Sequence, residues 1–252
     1  MKTTILNVLA VALLPAYLFA VDGQVLVSQA SVTAAGGYPY VIAQAGSYKL
    51  SGNLTPPTNV DAVHINSNNV TLDLNGFTIG SATCVPDTCG ATNAYGVTAS
   101  ASHPYYNITI RNGTISGMGV GVYLNGDSFT LEDLHIRNIA NNGIFVTWTG
   151  GNTPGSVIVR RNTIDGASAG LVVTGGALVT ENTFSYNVTG ASVGNEFSST
   201  ISPALVMGNT FFSNFVSLAV YSGGYLNNVF SGGAVVYGKN LGGNLCNNVV
   251  CP

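Results

Sequence analysis

Acidic and basic side chains come together at a few places in the chain, and these are the residues that acid–base chemistry would use. Glu132 and Asp133 are adjacent, and Arg161 belongs to a later copy of the same local pattern. His103 and Glu196 form a second possible pair. Glycoside hydrolysis uses two carboxylates, and a lyase needs a base such as arginine together with groups that neutralise a uronate. These five residues are therefore the catalytic candidates.

Aromatic side chains lie on long connections between predicted strands, and they are the candidates for ligand binding. The connections span residues 100–106, 147–155 and 194–203. In chain order, the rings are Tyr105, Tyr106, Trp148 and Phe197. Flat rings with a polar tip suit sugar faces. The sequence predicts an aromatic edge that contacts a glycan chain, and the alternative is that these rings fold back and seal the loops.

An internal repeat must position these residues. Five copies of one pattern place an asparagine after an apolar anchor, at Asn162, Asn182, Asn209, Asn228 and Asn244. Their spacings are 20, 27, 19 and 16 residues. Asparagine tolerates left-handed backbone, and its amide both donates and accepts hydrogen bonds. We therefore expect a buried asparagine ladder at a corner that the chain visits once per repeat.

Each repeat contains short segments of alternating apolar residues separated by Gly and Asn, which predicts strands joined by corners. No helical pattern follows the first 20 residues. One such repeat cannot bury its own apolar face, so repeats must stack and share a core. The sequence thus predicts an all-β, single-stranded parallel β-helix. The expected inward anchors are Leu72, Ile110, Leu131, Val159, Val179, Val206, Tyr225 and Leu241.

The charge content is low, and this limits the classes of partner that the protein can bind. Only 7% of the 252 residues are charged, and seven are Lys or Arg. A nucleic-acid partner requires clustered cations, so it is excluded. Aligning the repeats places opposite charges side by side, as in the column Asp73, Arg111, Glu132 and Arg160. Such pairing favours a solvated surface over a catalytic cluster.

Residues 1–20 resemble a secretory signal, with Lys2 before an apolar run that ends at Ala20. We expect an N-terminal extension over 21–37 and the β-helix over 38–252, with its N-terminal cap at 38–60. No later segment is apolar for long enough to span a membrane. The expected location is secreted, extracellular or periplasmic.

The four cysteines form two close pairs, Cys84 with Cys89 and Cys246 with Cys251. In an exported chain an even count favours disulfides, and nearest-neighbour pairing is the simplest arrangement. Zinc is the less favoured alternative, so no metal site is predicted. The second pair is expected to close the C-terminal end of the solenoid.

The copies of N-T-[IF] and G-[VIL]-x-[VL], together with the opening YVIAQAGSYKLSGNL and VTLDLNGFTI, resemble right-handed parallel β-helix repeat proteins of the pectin-lyase-like superfamily. The resemblance covers residues 38 to 248. It implies the fold and leaves the function open, because this fold carries lyases, hydrolases, epimerases and adhesins. The sequence motifs of the best-known enzyme families of this fold are absent.

These observations favour an exported module without a strong catalytic signature that binds a polysaccharide or surface glycan, or forms part of the cell surface, without a cofactor. The alternative is a polysaccharide lyase or hydrolase that uses a groove, and calcium is expected only in the lyase. A third possibility is metal handling, since some β-helix proteins are linked to copper, but the chain has no Met or His cluster. The outer strand face carries an apolar column of Tyr123, Phe145, Val172, Ala219 and Val236. It indicates either a covered or self-associating surface or an exported surface that tolerates apolar exposure.

Overall fold

The computed structural model describes residues 23–81, 93–100, 103–147, 157–194 and 203–252. Four segments that carry predicted features therefore lie outside the described residues. They are the signal peptide at 1–20, the Cys84–Cys89 pair, Trp148, and Glu196 with Phe197.

The described chain forms a parallel β-solenoid of about eight turns, which confirms the predicted fold class. Each turn contributes strands to up to three faces, here called faces 1, 2 and 3 in the order in which the chain visits them. Strands β8 (Tyr105–Ser116) and β9 (Val120–Arg137) are long enough to run around corners and serve more than one face.

Face 1 contains the middle of β9, the first half of β8 and β1 (Gln24–Val27), β3 (Gly46–Leu50), β5 (Val70–Asp73), β11 (Val157–Arg160), β14 (Ala177–Thr180), β17 (Ala204–Met207), β20 (Gly223–Leu226) and β23 (Lys239–Asn240). Face 2 contains the ends of β8 and β9 and β6 (Thr78–Gly80), β12 (Thr163–Asp165), β15 (Thr183–Ser185), β18 (Thr210–Phe212), β21 (Val229–Ser231) and β24 (Leu245–Cys246). Face 3 contains the start of β9 and β2 (Tyr40–Ile42), β4 (Val63–Ile65), β7 (Tyr95–Ala99), β10 (Asn142–Thr147), β13 (Ala169–Val173), β16 (Thr189–Val193), β19 (Val216–Val220) and β22 (Ala234–Val236). All pairings between these strands are parallel, and β25 (Val249–Val250) alone pairs antiparallel, with β24.

The N-terminal end contains an element that the sequence pattern did not predict. A short helix, α1 (Gln29–Ala34), starts at Ser28, whose hydroxyl accepts from the Ser31 backbone N–H. Val32 is fully buried in the core, and β1 pairs with β3. A helix this short has too few turns to show a helical period, which is why the pattern missed it. The cap thus contains residues before 38 as well as after it.

The core consists of stacked columns of apolar side chains, one residue per coil. On face 1 the predicted anchors from Leu72 to Val206 are fully buried. On face 2 the column continues through Phe184, Phe211 and Phe230, whose rings stack with centroids 5.0 Å apart at each step. The prediction is wrong at its last position. Leu241 is 49% exposed, and Asn240 is the residue that pairs with Tyr225.

The asparagine ladder forms the corner between faces 1 and 2. The Oδ1 of Asn182 accepts from the backbone N–H and the Nδ2 of Asn162, both at 2.9 Å. The same arrangement continues through Asn209, Asn228 and Asn244. Each amide thus satisfies backbone groups of neighbouring coils that the corner removes from the strand ladder.

The left-handed residue at this corner is the one before each asparagine, not the asparagine itself as expected. The φ angle is +55° at Arg161, +57° at Glu181 and +53° at Asn227. A glycine takes this position before Asn209 and Asn244. The asparagine side chain is needed for its amide, and the preceding residue turns the chain.

A second ladder, which sequence analysis missed, forms the corner between faces 2 and 3. Asn187 and Asn214 are 3% and 4% exposed, and each follows a left-handed residue. The Oδ1 of Asn214 accepts from the Asn187 backbone N–H at 3.0 Å. The detectable signal is the repeated spacing, because Asn187 and Asn214 are 27 residues apart, as are Asn182 and Asn209.

The repeated glycine at the start of the face 3 strands has a steric cause. A Cβ added to Gly143 would lie 2.6 Å from the carbonyl oxygen of Gly170 in the next coil. Gly170 stands in the same relation to Gly190, also at 2.6 Å. Real Cβ atoms do not approach backbone so closely, so only glycine lets the coils stack at this point.

The C-terminal end is closed by the predicted disulfide between Cys246 and Cys251. Cys246 continues the inward column of face 2 after Phe230, with which it is paired. The disulfide holds β25 back against β24 and so covers the end of this column. Within the described residues no helix is both long and apolar enough to cross a membrane.

Candidate functional site

The charged candidates lie on the outer side of face 1, at the strand ends that approach the asparagine corner. Strand register places Asp73, Arg111, Glu132 and Arg160 side by side in successive coils. The Arg111 Nε lies 3.3 Å from an Asp73 oxygen, and the Arg160 Nη2 lies 2.6 Å from the Glu132 Oε2. Opposite charges therefore alternate along this column, as the alignment of repeats predicted.

Arg161 links the two acidic candidates. Its guanidinium donates to both oxygens of Asp133, at 2.8 and 2.9 Å, and to Glu132 at 3.1 Å. Hydrogen bonds from Arg161 hold the pKa of Asp133 below its ordinary value, and the same bonds raise the pKa of Arg161. Both changes favour the charged forms. A general acid or base instead needs a pKa close to the working pH.

Replacing Asp133 with asparagine is expected to change the acid stability of the protein. The pKa of Asp133 is depressed in the folded state, so its ion pair stabilises the fold above the ordinary carboxyl pKa of 3.8 and is lost as the pH falls further. Because Asp133 is 45% exposed, the contribution is below about 1 kcal/mol. Unfolding measured from pH 7 down to pH 2 should show a flatter profile for Asp133→Asn. An equal change in Asp127→Asn, which alters a carboxylate without an arginine partner, would contradict this assignment.

One acidic residue binds a histidine although an arginine is its partner in strand register. Arg137 and Asp165 are paired in register between β9 and β12. The Asp165 carboxylate, however, binds the ring of His135, with Nε2 and Oδ1 3.0 Å apart. All three side chains lie at the surface of face 2.

The corner between faces 3 and 1, here called the loop edge, carries His103, Tyr105 and Tyr106. His103 is exposed, and its proposed partner Glu196 lies outside the described residues. Tyr105 is half-buried and packs against the core, so it follows the alternative expectation for these rings. Tyr106 is 51% exposed and remains available to a ligand.

Amides surround Tyr106 on the loop edge. Its backbone N–H donates to the Asn68 side chain at 3.0 Å. The next residue, Asn107, donates from its amide to the Asn69 side chain at 2.8 Å. On the following coil Asp127 is paired with Tyr106 and accepts from the Ser128 hydroxyl. The residue that carries this exposed ring thus has neighbours whose side chains both donate and accept hydrogen bonds.

A second pair of rings lies further along the loop edge. Tyr221 stacks on Tyr237, with centroids 5.2 Å apart. Tyr221 lies just before β20, and Tyr106 lies near the start of β8. Five successive strand pairings connect β8 to β20, through β9, β11, β14 and β17. Five steps of one coil correspond to about 24 Å. The two aromatic positions therefore mark out a length suited to an extended ligand.

The aromatic column on face 3 is less suited to sugar binding. The ring of Tyr123 stacks between those of Tyr95 and Phe145, at centroid distances of 5.4 and 5.3 Å. Tyr123 has a ring against each of its faces, so neither face is free to cover a sugar. This column therefore stabilises the stacking of coils.

The described residues do not fit a metal centre. They contain no group of three or more His, Cys, Asp or Glu side chains arranged around a common point. The two histidine–carboxylate pairs, His64 with Asp61 and His135 with Asp165, each provide two donors only. Copper favours imidazole and sulfur ligands, and both cysteines in the described part of the chain form a disulfide.

Residues 23–249 match the model of a protein family described as "Periplasmic copper-binding protein (NosD)". No curated protein and no solved structure shows significant similarity to the chain. The match agrees with the predicted export and with the predicted β-helix family. It overturns the prediction that no cofactor is involved, because the family description names copper.

Proposed function

This chain belongs to the NosD family, and from that premise we propose that it is an exported β-helix module that binds carbohydrate along its loop edge. The family is periplasmic and has the right-handed β-helix architecture of the pectin-lyase-like superfamily. Within that frame, the ligand must be inferred from the surface of this chain. The observation that supports carbohydrate is the exposed ring of Tyr106, a residue that has Asn68, Asn69 and Asn107 as neighbours.

The charge of the loop edge favours a neutral glycan. No Lys or Arg occurs in the stretches that connect face 3 to face 1, including residues 147–156 and 194–203. The acidic groups Asp127 and Glu196 both belong to these stretches. A uronate polymer would bring carboxylates next to these acids without a cation to balance them. A neutral polysaccharide meets no such repulsion.

The alternative function of a lyase or hydrolase receives less support. Asp73, Glu132 and Asp133 each accept a hydrogen bond from an arginine of a neighbouring coil. Carboxylates that already accept hydrogen bonds from arginine are poorly placed to reach a leaving group. The binding function requires none of these groups.

A glycan array with the purified protein tests the proposal. The wild type should bind neutral polysaccharides, and Tyr106→Ala should weaken binding about tenfold, which is about 1.4 kcal/mol. Trp148→Ala and Phe197→Ala are predicted to weaken it as well. Val229→Ala is the control, because Val229 is an exposed apolar side chain on face 2 that belongs neither to the loop edge nor to a corner. Absence of binding by the wild type, or equal loss in the control, would rule the proposal out.

Copper binding is a second candidate function, and the family description is the observation that favours it. The described residues do not form a centre for this ion, so no step of chemistry is assigned to it here. Metal analysis of the full chain after exposure to copper, with zinc as a control ion, tests this candidate. Bound copper that survives dialysis would support it, and copper removed as readily as zinc would not.

A further inference from the structure

The corner between faces 2 and 3 carries an apolar surface, here called the ledge, that is independent of the loop edge. It consists of Tyr186, Val188, Phe212 and Phe215, which are 65%, 57%, 42% and 80% exposed. The residues come from two coils in direct contact, because β15 and β18 are paired. Large apolar side chains exposed together mark an interaction surface more often than scattered ones do.

The ledge is rigid. The buried Asn187 and Asn214 lie directly next to its residues and fix the backbone of both coils. The rings of Tyr186 and Phe212 pack edge to face, with centroids 5.5 Å apart. Side chains that are already ordered lose little freedom on binding, so more of the buried apolar area contributes to affinity.

The two coils that carry the ledge contain no charged side chain in their described residues 182–194 and 203–222. In the coil before them, Asp165 is in register with Ser185 and is bound to His135. From Asn182 to Gly238 the sequence contains one charged residue, Glu196, and that residue belongs to a loop-edge connection. In a twofold contact the same surface meets itself, so a charged residue near the axis would face a like charge. An anionic membrane would instead favour Lys and Arg around the apolar residues.

We propose that the ledge joins two copies of this chain in a twofold dimer, with Phe215 and Tyr186 as the central contacts. Aromatic residues that become fully covered carry most of the energy of such interfaces. This surface differs from the outer strand face, for which self-association is one of two expectations from the sequence. There Tyr123 and Phe145 are half-buried by their own stacking, and Ala219 is 5% exposed.

Analytical ultracentrifugation over a wide dilution series tests the dimer. The wild type should sediment as a dimer that dissociates on dilution, and Phe215→Ser and Tyr186→Ser should sediment as monomers. Both side chains are exposed, so at a dilution where the wild type is monomeric the variants should melt at the wild-type temperature, which separates lost association from lost folding. Tyr106→Ser, which removes an exposed tyrosine from the loop edge, should remain dimeric.

A cysteine placed at the contact provides a second measurement. Phe215→Cys should form a disulfide-linked dimer under mild oxidation, because the two copies of residue 215 lie near the twofold axis. A wild type that stays monomeric at every concentration overturns the proposal. The proposal is also overturned if Tyr106→Ser dissociates as readily as Phe215→Ser. It is likewise overturned if the wild type forms open-ended assemblies instead of a dimer.

Discussion

Asn209→Ala is expected to lower the free energy of unfolding by about 3–5 kcal/mol, because several buried backbone and side-chain groups lose their partners together. The Asn209 Oδ1 accepts from the Asn182 backbone N–H and from the Asn182 amide. Its Nδ2 donates to the Val179 carbonyl in the preceding coil. Asn209 is 1% exposed, so water cannot replace these partners without opening the corner. Chemical denaturation followed by circular dichroism measures the loss.

Thr210→Ala is the matched control, because Thr210 is the next residue and its side chain is exposed on face 2. It should change stability by less than about 0.5 kcal/mol. Hydrogen exchange should show where Asn209→Ala acts. Coils of a solenoid contact only their neighbours, so lost protection should centre on Asn182 and Asn228. Equal destabilisation by the two variants would show that the ladder has no special role.

Phe211→Ala is expected to cost a similar amount, about 3–5 kcal/mol, for a different reason. Phe211 is fully buried, and its ring stacks between Phe184 and Phe230. Its removal leaves a cavity inside a column whose neighbours are held in strand register and cannot move together to fill it. Thermal and chemical unfolding of the variant measure the effect.

Phe212→Ala provides the comparison, because it removes the same side chain one residue later, where the chain points outward and the ring is 42% exposed. The expected loss is below about 1 kcal/mol. Because Phe212 is part of the ledge, the measurement should be made at a protein concentration at which the chain is monomeric. If Phe212→Ala destabilised the monomer as much as Phe211→Ala, the inward and outward assignment of face 2 would be wrong.

The low charge content has a structural explanation in these results. Backbone pairing between coils, apolar columns and asparagine ladders stabilise the solenoid, and none of them requires a charged residue. In the described part of face 1, Arg111, Arg160 and Arg161 all bind carboxylates of the coil before them. These charges therefore support the stacking of coils.

Sequence periodicity by itself determined the fold, the inward columns from Leu72 to Val206 and the position of the first asparagine ladder. This was possible because each coil contacts the next at a nearly constant spacing, so three-dimensional contacts repeat along the chain. The tertiary structure decided the features that depend on contacts between coils. It showed that the residue before each asparagine turns the chain, that Asn187 and Asn214 form a second ladder, and that His135 binds Asp165. It also separated Tyr105, which packs on the core, from the exposed Tyr106. Corner geometry, side-chain orientation and exposure depend on how neighbouring coils pack together. The spacing of residues along the chain does not determine that packing.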